Sequence, residues 1–202
     1  MNFKKNKYIV IKKAINKEVA QLCYNYLLIK RQVAKTLFES KYISPFETMF
    51  GVWNDAQVPN TYSHYSDILM ETLLLKVKPI LEKNTNTNLI ETYSYARIYK
   101  KGDVLNKHKD RFSCEISTTL NLGGDKWPIY LKDIFKKNVK IILNPGDMLI
   151  YKGNELEHWR DEFLGEDCCQ VFLHYNNSNT KESKNNIFDG RRHLGLPVWF
   201  KK

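Results

Sequence analysis

The sequence predicts an α+β protein, mainly β, in which two N-terminal helices support a β-rich half. Three observations lead there. Apolar residues recur at helical spacing between positions 16 and 38 and again between 69 and 81. Beyond Leu89 the pattern changes to short runs at 92–99, 103–108, 115–122, 127–131, 138–143, 147–151 and 168–175, parted by turn signals. Finally, 202 residues with 43% hydrophobic and 13% aromatic positions suit one sizeable core.

Each element has a local reason. Tyr8-Ile9-Val10-Ile11 reads as a short strand. Asn16 is a helix N-cap, and Val19, Leu22, Cys23, Tyr26, Leu27, Val33, Ala34 and Leu37 mark one helix up to about Phe38. Residues 41–65 lack a period and carry Pro45, Gly51 and Pro59, so an irregular connection is expected. A second helix starts after Ser66 and buries Leu69, Leu73, Leu74, Val77 and Leu81, with Pro79 kinking or ending it. The turns Lys101-Gly102-Asp103, Gly123-Gly124-Asp125, Asn144-Pro145-Gly146-Asp147 and Gly153-Asn154 then separate strands of a sandwich or small barrel. A single domain over 1–202 is expected, with a helical support region 1–88, a β core 89–176 and a tail 177–202 that docks back through Leu194, Leu196, Val198, Trp199 and Phe200.

Composition limits the function classes. No apolar run reaches the roughly 18–20 residues of a membrane span, and the N-terminus lacks a signal-peptide pattern. Cys23, Cys114, Cys168 and Cys169 form no C-x-x-C pair, so packing thiols in a reducing, cytoplasmic setting are expected. The net charge is +10, and residues 1–41 hold ten cations against Glu18 and Glu39. That segment is either a solvated lysine-rich surface or a contact for nucleic acid.

The chemistry-bearing stretch is Tyr99 to Arg111. His108 and Asp110 are two apart, so on extended chain both side chains leave one face and can donate to one divalent ion. Alone the pair is a weak signal. His158 follows the Asn144–Tyr151 turn and strand, and a barrel can bring it opposite the pair as a third ligand. Two imidazoles and a carboxylate leave coordination positions open, which suits non-haem Fe(II) better than zinc.

With its His-x-Asp run, the Gly123-Gly124 turn before Trp127-Pro128, the Pro145-Gly146-Asp147 turn and a distal His158, the sequence resembles the 2-oxoglutarate/Fe(II)-dependent oxygenases. The prolyl 4-hydroxylase-like branch is the nearest, and the resemblance covers about 93–176. It implies a double-stranded β-helix (jelly-roll) core. It also implies Fe(II), 2-oxoglutarate and O₂, with ascorbate as an optional reductant, and hydroxylation of a C–H bond of a prolyl residue, another peptide or a small molecule. A nucleic-acid demethylase of the same superfamily and a non-catalytic metal-binding barrel are the alternatives.

One departure from the family stands out. A basic residue about ten positions after the distal His is usual there, but Asp167, Cys168, Cys169 and Gln170 occupy those positions. Arg160, two residues beyond His158 and on the same face, is the replacement expected to hold the distal carboxylate of 2-oxoglutarate, unless it pairs at the surface with Asp161, Glu162 or Glu166. Tyr99 matches the family tyrosine that donates to that carboxylate, and Asn121, on the polar face of strand 115–122, is a further contact with Gln170 in reserve. Tyr93, Tyr95, Arg97 and Tyr99 share one strand face, and Arg97 offers a second carboxylate contact. His64, His174 and His193 lack partnered spacing and receive no chemistry.

Overall fold

A computed structural model describes residues 2–201. A one-turn helix α1 (Phe3–Asn6) leads into β1 (Tyr8–Ile11), α2 (Lys17–Glu39), β2 (Tyr62–Tyr65) and α3 (Ile68–Thr85). Eight strands follow: β3 (Leu89–Lys100), β4 (Leu105–His108), β5 (Ile116–Gly124), β6 (Ile129–Lys132), β7 (Asn138–Ile141), β8 (Met148–Lys152), β9 (His158–Arg160) and β10 (Asp167–Asn177). They form two antiparallel sheets, one of six strands ordered β1-β8-β5-β10-β3-β2 and one of four ordered β4-β9-β6-β7. The protein is thus α+β and mainly β, with its helices on one side.

Alternation along the strands decides which face meets what. On β5, Ile116, Leu120 and Leu122 pack toward the helices, as do Cys169, Val171, Leu173 and Tyr175 of β10. There they meet Ala20, Cys23, Leu27 and Ala34 of α2 and Met70, Leu73, Leu74, Val77 and Leu81 of α3. The opposite face of β10 carries Cys168, Gln170, Phe172 and His174, which turn to the space between the sheets. A smaller apolar cluster of Tyr8, Leu149 and Tyr151 with Ile129, Leu131 and Ile141 holds the sheets together.

Helix starts follow the capping rule. Asn16 Oδ1 accepts from Val19 N at 2.9 Å, and Asp67 Oδ1 from Met70 N at 3.1 Å. Asp67 is buried and also accepts from Tyr26 of α2 and from Lys30, 2.6 Å away, so one carboxylate ties the two helices together. In α3, Pro79 does not end the helix, which continues to Thr85. Proline removes the hydrogen bond to the carbonyl four residues back, here that of Leu75. Leu75 is half exposed, so water can serve its carbonyl.

The stretch 41–65 departs from the expectation of a wholly irregular connection. Its end, Tyr62–Tyr65, pairs with Tyr95–Ile98 of β3 as an edge strand. Four residues without a β-branched side chain carry too little strand signal to read. The basic segment also looks different in three dimensions. Of its ten cations, Lys7, Lys12, Lys30, Arg31 and Lys35 pair with Glu155, Asp147, Asp67, Asp167 and Glu39. Half of the apparent surplus is therefore answered within the chain, and the structure offers nothing in favour of a nucleic-acid contact there.

Residues 181–190 form irregular 3-10 turns, and Arg191 beyond them is buried against Glu71 of α3 at 2.8 Å. The four cysteines are free and buried. Among the described residues, no helix is long and apolar enough to cross a membrane.

Candidate metal centre

Three short elements converge at one mouth of the space between the sheets. β4 ends at His108, opposite His158 at the start of β9, in antiparallel register. Asp110 follows two residues after His108, and its backbone N–H donates to Gly153 O at 2.9 Å. The donor atoms of His108, Asp110 and His158 all lie within 4.8 Å of one another. Asp110 Oδ1 is 3.7 Å from His108 Nε2 and 3.6 Å from His158 Nε2.

The orientation of these donors is fixed by their neighbours. His108 Nδ1 donates to Asn106 O at 2.7 Å, and His158 Nδ1 to Leu156 O at 2.9 Å. Each bond places the ring proton on Nδ1 and leaves the Nε2 lone pair facing the shared point. Ser117 Oγ donates to Asp110 Oδ2 at 2.7 Å, holding the other carboxylate oxygen away from it.

Gly153 is required here by close approach. A Cβ on it would stand 2.2 Å from Asp110 Oδ2.

Burial and charge prepare the set for a cation. Burial, then the neighbouring His158, pull the His108 pKa below the ordinary histidine value, so this imidazole is neutral at pH 7. Burial by itself raises the Asp110 carboxyl, but its neighbours His158, His174 and Ser117 hold it down to about 2. A metal needs neutral imidazole and ionised carboxylate, the state that these shifts favour at His108 and Asp110.

The cavity beside the triad measures about 370 Å³, and its wall includes Tyr95, Arg97, Tyr99, Tyr151 and Phe172. Arg97 is 2% exposed. It donates to Asp55, which also accepts from the Tyr95 hydroxyl. Its Nη1 donates to Gln57 Oε1 at 3.1 Å and to the Tyr99 hydroxyl at 3.3 Å. Gln57 Nε2 in turn sits 3.0 Å from His108 Nε2. A cation on that nitrogen and this hydrogen bond use the same lone pair.

Arg160, 1% exposed, is on the same face of β9 as His158 but is not on the wall of this cavity. Its Nη1 donates to Trp127 O at 2.6 Å and its Nη2 reaches Thr119 Oγ1 at 3.5 Å. Its Nε is buried without a partner. Asp161, Glu162 and Glu166 do not pair with it, and among the described residues no carboxylate stands within ion-pair distance.

Tyr99 is fully buried and edge-on to Trp127 at 4.8 Å. Asn121 is not on the cavity wall. It lies at the level of the Asn144–Asp147 turn, where its backbone N–H donates to Asp147 O and its side-chain oxygen is left without a partner.

Several residues here carry no readable signal in the sequence. Gln57 and Asp55 come from the stretch without periodicity. His174, set aside for lack of partnered spacing, packs 4.6 Å from Tyr93 and meets Ser117 Oγ through Nδ1 at 3.0 Å. Its partner is 57 residues away, so only the β5–β10 pairing brings them together.

No protein-family model matches the sequence, and no curated protein matches it. Solved structures do. A Pseudomonas putida prolyl-4-hydroxylase aligns over 88% of this chain and 96% of its own, with a TM-score of 0.63 and 9% identity. A Trichoplax adhaerens prolyl hydroxylase in complex with a hypoxia inducible factor peptide fragment aligns over 87% and 86%, with a TM-score of 0.61 and 12% identity. HygX from Streptomyces hygroscopicus, with nickel, 2-oxoglutarate and hygromycin B bound, aligns over 89% and 86%, with a TM-score of 0.59 and 13% identity. The chain has the fold of the 2-oxoglutarate/Fe(II) oxygenases. Prolyl hydroxylases are among the neighbours that share it.

Proposed function

We propose that this protein is an Fe(II)- and 2-oxoglutarate-dependent dioxygenase that hydroxylates a C–H bond on a double-stranded β-helix core. The observation that carries the reading is the meeting of His108, Asp110 and His158, each imidazole locked by its Nδ1 bond so that Nε2 faces the carboxylate. Two neutral nitrogens and one charged oxygen on one side of an ion suit iron with positions left for reagents. When bound, the iron supplies activation of O₂ coupled to oxidative decarboxylation of 2-oxoglutarate.

The residues present fit the co-substrate as well. A buried guanidinium with a free Nε and no carboxylate is costly in an apolar interior unless an anion joins it. Arg160 is therefore the residue to receive the distal carboxylate of 2-oxoglutarate, with Thr119 beside it. Tyr99 lines the cavity beside the triad. Trp127 and Phe163 close the wall around Arg160 and exclude water, which strengthens that ion pair. Ser117 holds Asp110 in place, and Gly153 leaves room for it.

A prolyl peptide is the first substrate to test, because two of the structural neighbours are prolyl hydroxylases. Purified protein given iron, 2-oxoglutarate and such peptides should release succinate, and His108→Ala should abolish the release. Calorimetry with Mn(II) in place of iron should show 2-oxoglutarate binding that requires the metal. Turnover unchanged in His108→Ala removes the proposal, and metal binding without 2-oxoglutarate binding favours a non-catalytic barrel.

A further inference from the structure

Arg111 follows Asp110, and its guanidinium lies over the Tyr93 ring, 5.0 Å from the centroid, on the wall of the same cavity. It is anchored from behind. Its Nη2 donates to Asp189 Oδ2 at 2.9 Å, and that buried carboxylate also accepts from the Tyr65 hydroxyl at 2.7 Å and Lys201 Nζ at 2.8 Å. Asp189 and Phe188 both stand in left-handed backbone, with φ of 55° and 52°. That conformation is uncommon for non-glycine residues, and two in succession turn the chain sharply here. The tail is shaped to bring one carboxylate to this spot.

One carboxylate shared by Arg111 and Lys201 leaves a positive charge over. Lys109, on the same wall, is exposed and has no carboxylate within ion-pair distance among the described residues. The other charges of the cavity are already answered. Arg97 has Asp55. A dication, Asp110, the 2-oxoglutarate dianion and Arg160 balance to neutral. The surplus at the rim is therefore not needed by the co-substrate, and it attracts a second anion.

We propose that the substrate is an amino-acid-sized acid whose carboxylate or phosphate is received by Arg111 and Lys109, with its apolar part against Tyr93 and Phe172. This rests on the oxygenase reading. A cavity of about 370 Å³ stands near the lower end of small-molecule sites and must also hold the co-substrate, so the substrate group is small. A guanidinium held over an aromatic ring and anchored by Asp189 presents its remaining donors to an oxyanion.

The test is calorimetry on protein loaded with Mn(II) and 2-oxoglutarate. The probes are L-aspartate, L-glutamate and O-phospho-L-serine against L-asparagine, L-glutamine, L-serine and L-lysine. The acids should bind at least about tenfold tighter than their neutral counterparts, and added salt should weaken them. Arg111→Gln should erase the difference and Lys109→Gln reduce it, with affinity for 2-oxoglutarate kept in both.

Equal binding of acids and amides overturns the proposal, as does no binding of any acid at millimolar concentration. Loss of 2-oxoglutarate affinity in Arg111→Gln overturns it too, by giving the rim to the co-substrate. A short single-stranded oligonucleotide that binds better than the acids overturns it in favour of a nucleic-acid substrate. Wild-type protein that binds neither Mn(II) nor 2-oxoglutarate marks failure of the oxygenase reading instead.

Discussion

Arg97 and Arg160 are both buried between the sheets, yet they are supplied very differently. Arg97 has Asp55 on its Nη2, Gln57 and Tyr99 on its Nη1, and Tyr95 completing the carboxylate. Arg160 has only a backbone carbonyl and a long contact to a threonine, and the Nε of both arginines is buried without a partner. A buried cation with its own carboxylate is a finished structural part. One without is suited to receive an anion, because desolvation makes an incoming anion worth far more than it is in water. The contrast also shows that proximity to the triad is a poor guide. Arg97 is on the cavity wall and already neutralised, whereas Arg160, off that wall, has no carboxylate beside it.

The sharpest way to break this comparison is to truncate both arginines. Arg97→Gln should destabilise the fold by about 3 kcal/mol in urea denaturation, as the loss of one partner of a buried pair does. Arg160→Gln should cost little stability but weaken 2-oxoglutarate about a hundredfold by calorimetry, with Mn(II) affinity retained. Equal losses of 2-oxoglutarate affinity in the two variants would mean the arginines have been told apart wrongly.

Buried histidine extends the contrast to a group that stays neutral. Burial lowers the His174 pKa to about 4. Its unfolded value is near 6.5, so between those pH values the unfolded chain binds the extra proton and stability falls as the solution is acidified. Between pH 7 and 4.5 this group should remove about 2 kcal/mol, which His174→Gln should recover in urea titrations at the two pH values. A pH dependence identical in the variant would contradict the assignment.

The smallest effect concerns Gln57, which joins the Arg97 cluster to His108. Gln57→Ala frees the ligand nitrogen of a competing hydrogen bond of about 1 kcal/mol, so Mn(II) should bind roughly fivefold tighter. Unchanged Mn(II) affinity would show that the amide does not compete.

Much of the candidate site was legible because its logic is local. His108 and Asp110 are two residues apart and their donor atoms meet, although the strand ends at His108, and Arg160 shares a face of β9 with His158. The polar face of β5 was legible for the same reason, although Asn121 on it ends beside the Asp147 turn and away from the cavity. What stayed hidden depends on contacts distant in sequence. Asp55 and Gln57 act only because β2 pairs with β3 and carries their loop to Arg97. His174 acquires its partner only across β5 and β10. Pro79 does not end its helix because an exposed helix face tolerates the lost bond.

The ion pair between Glu71 and Arg191 joins residues 120 positions apart. Synthesis runs from the N-terminus, so α3 and all ten strands can be in place while Glu71 still awaits its counter-charge. Asp189, which anchors Arg111, arrives with the same late segment. The two sheets can thus bring His108, Asp110 and His158 together before the segment that anchors Arg111 arrives.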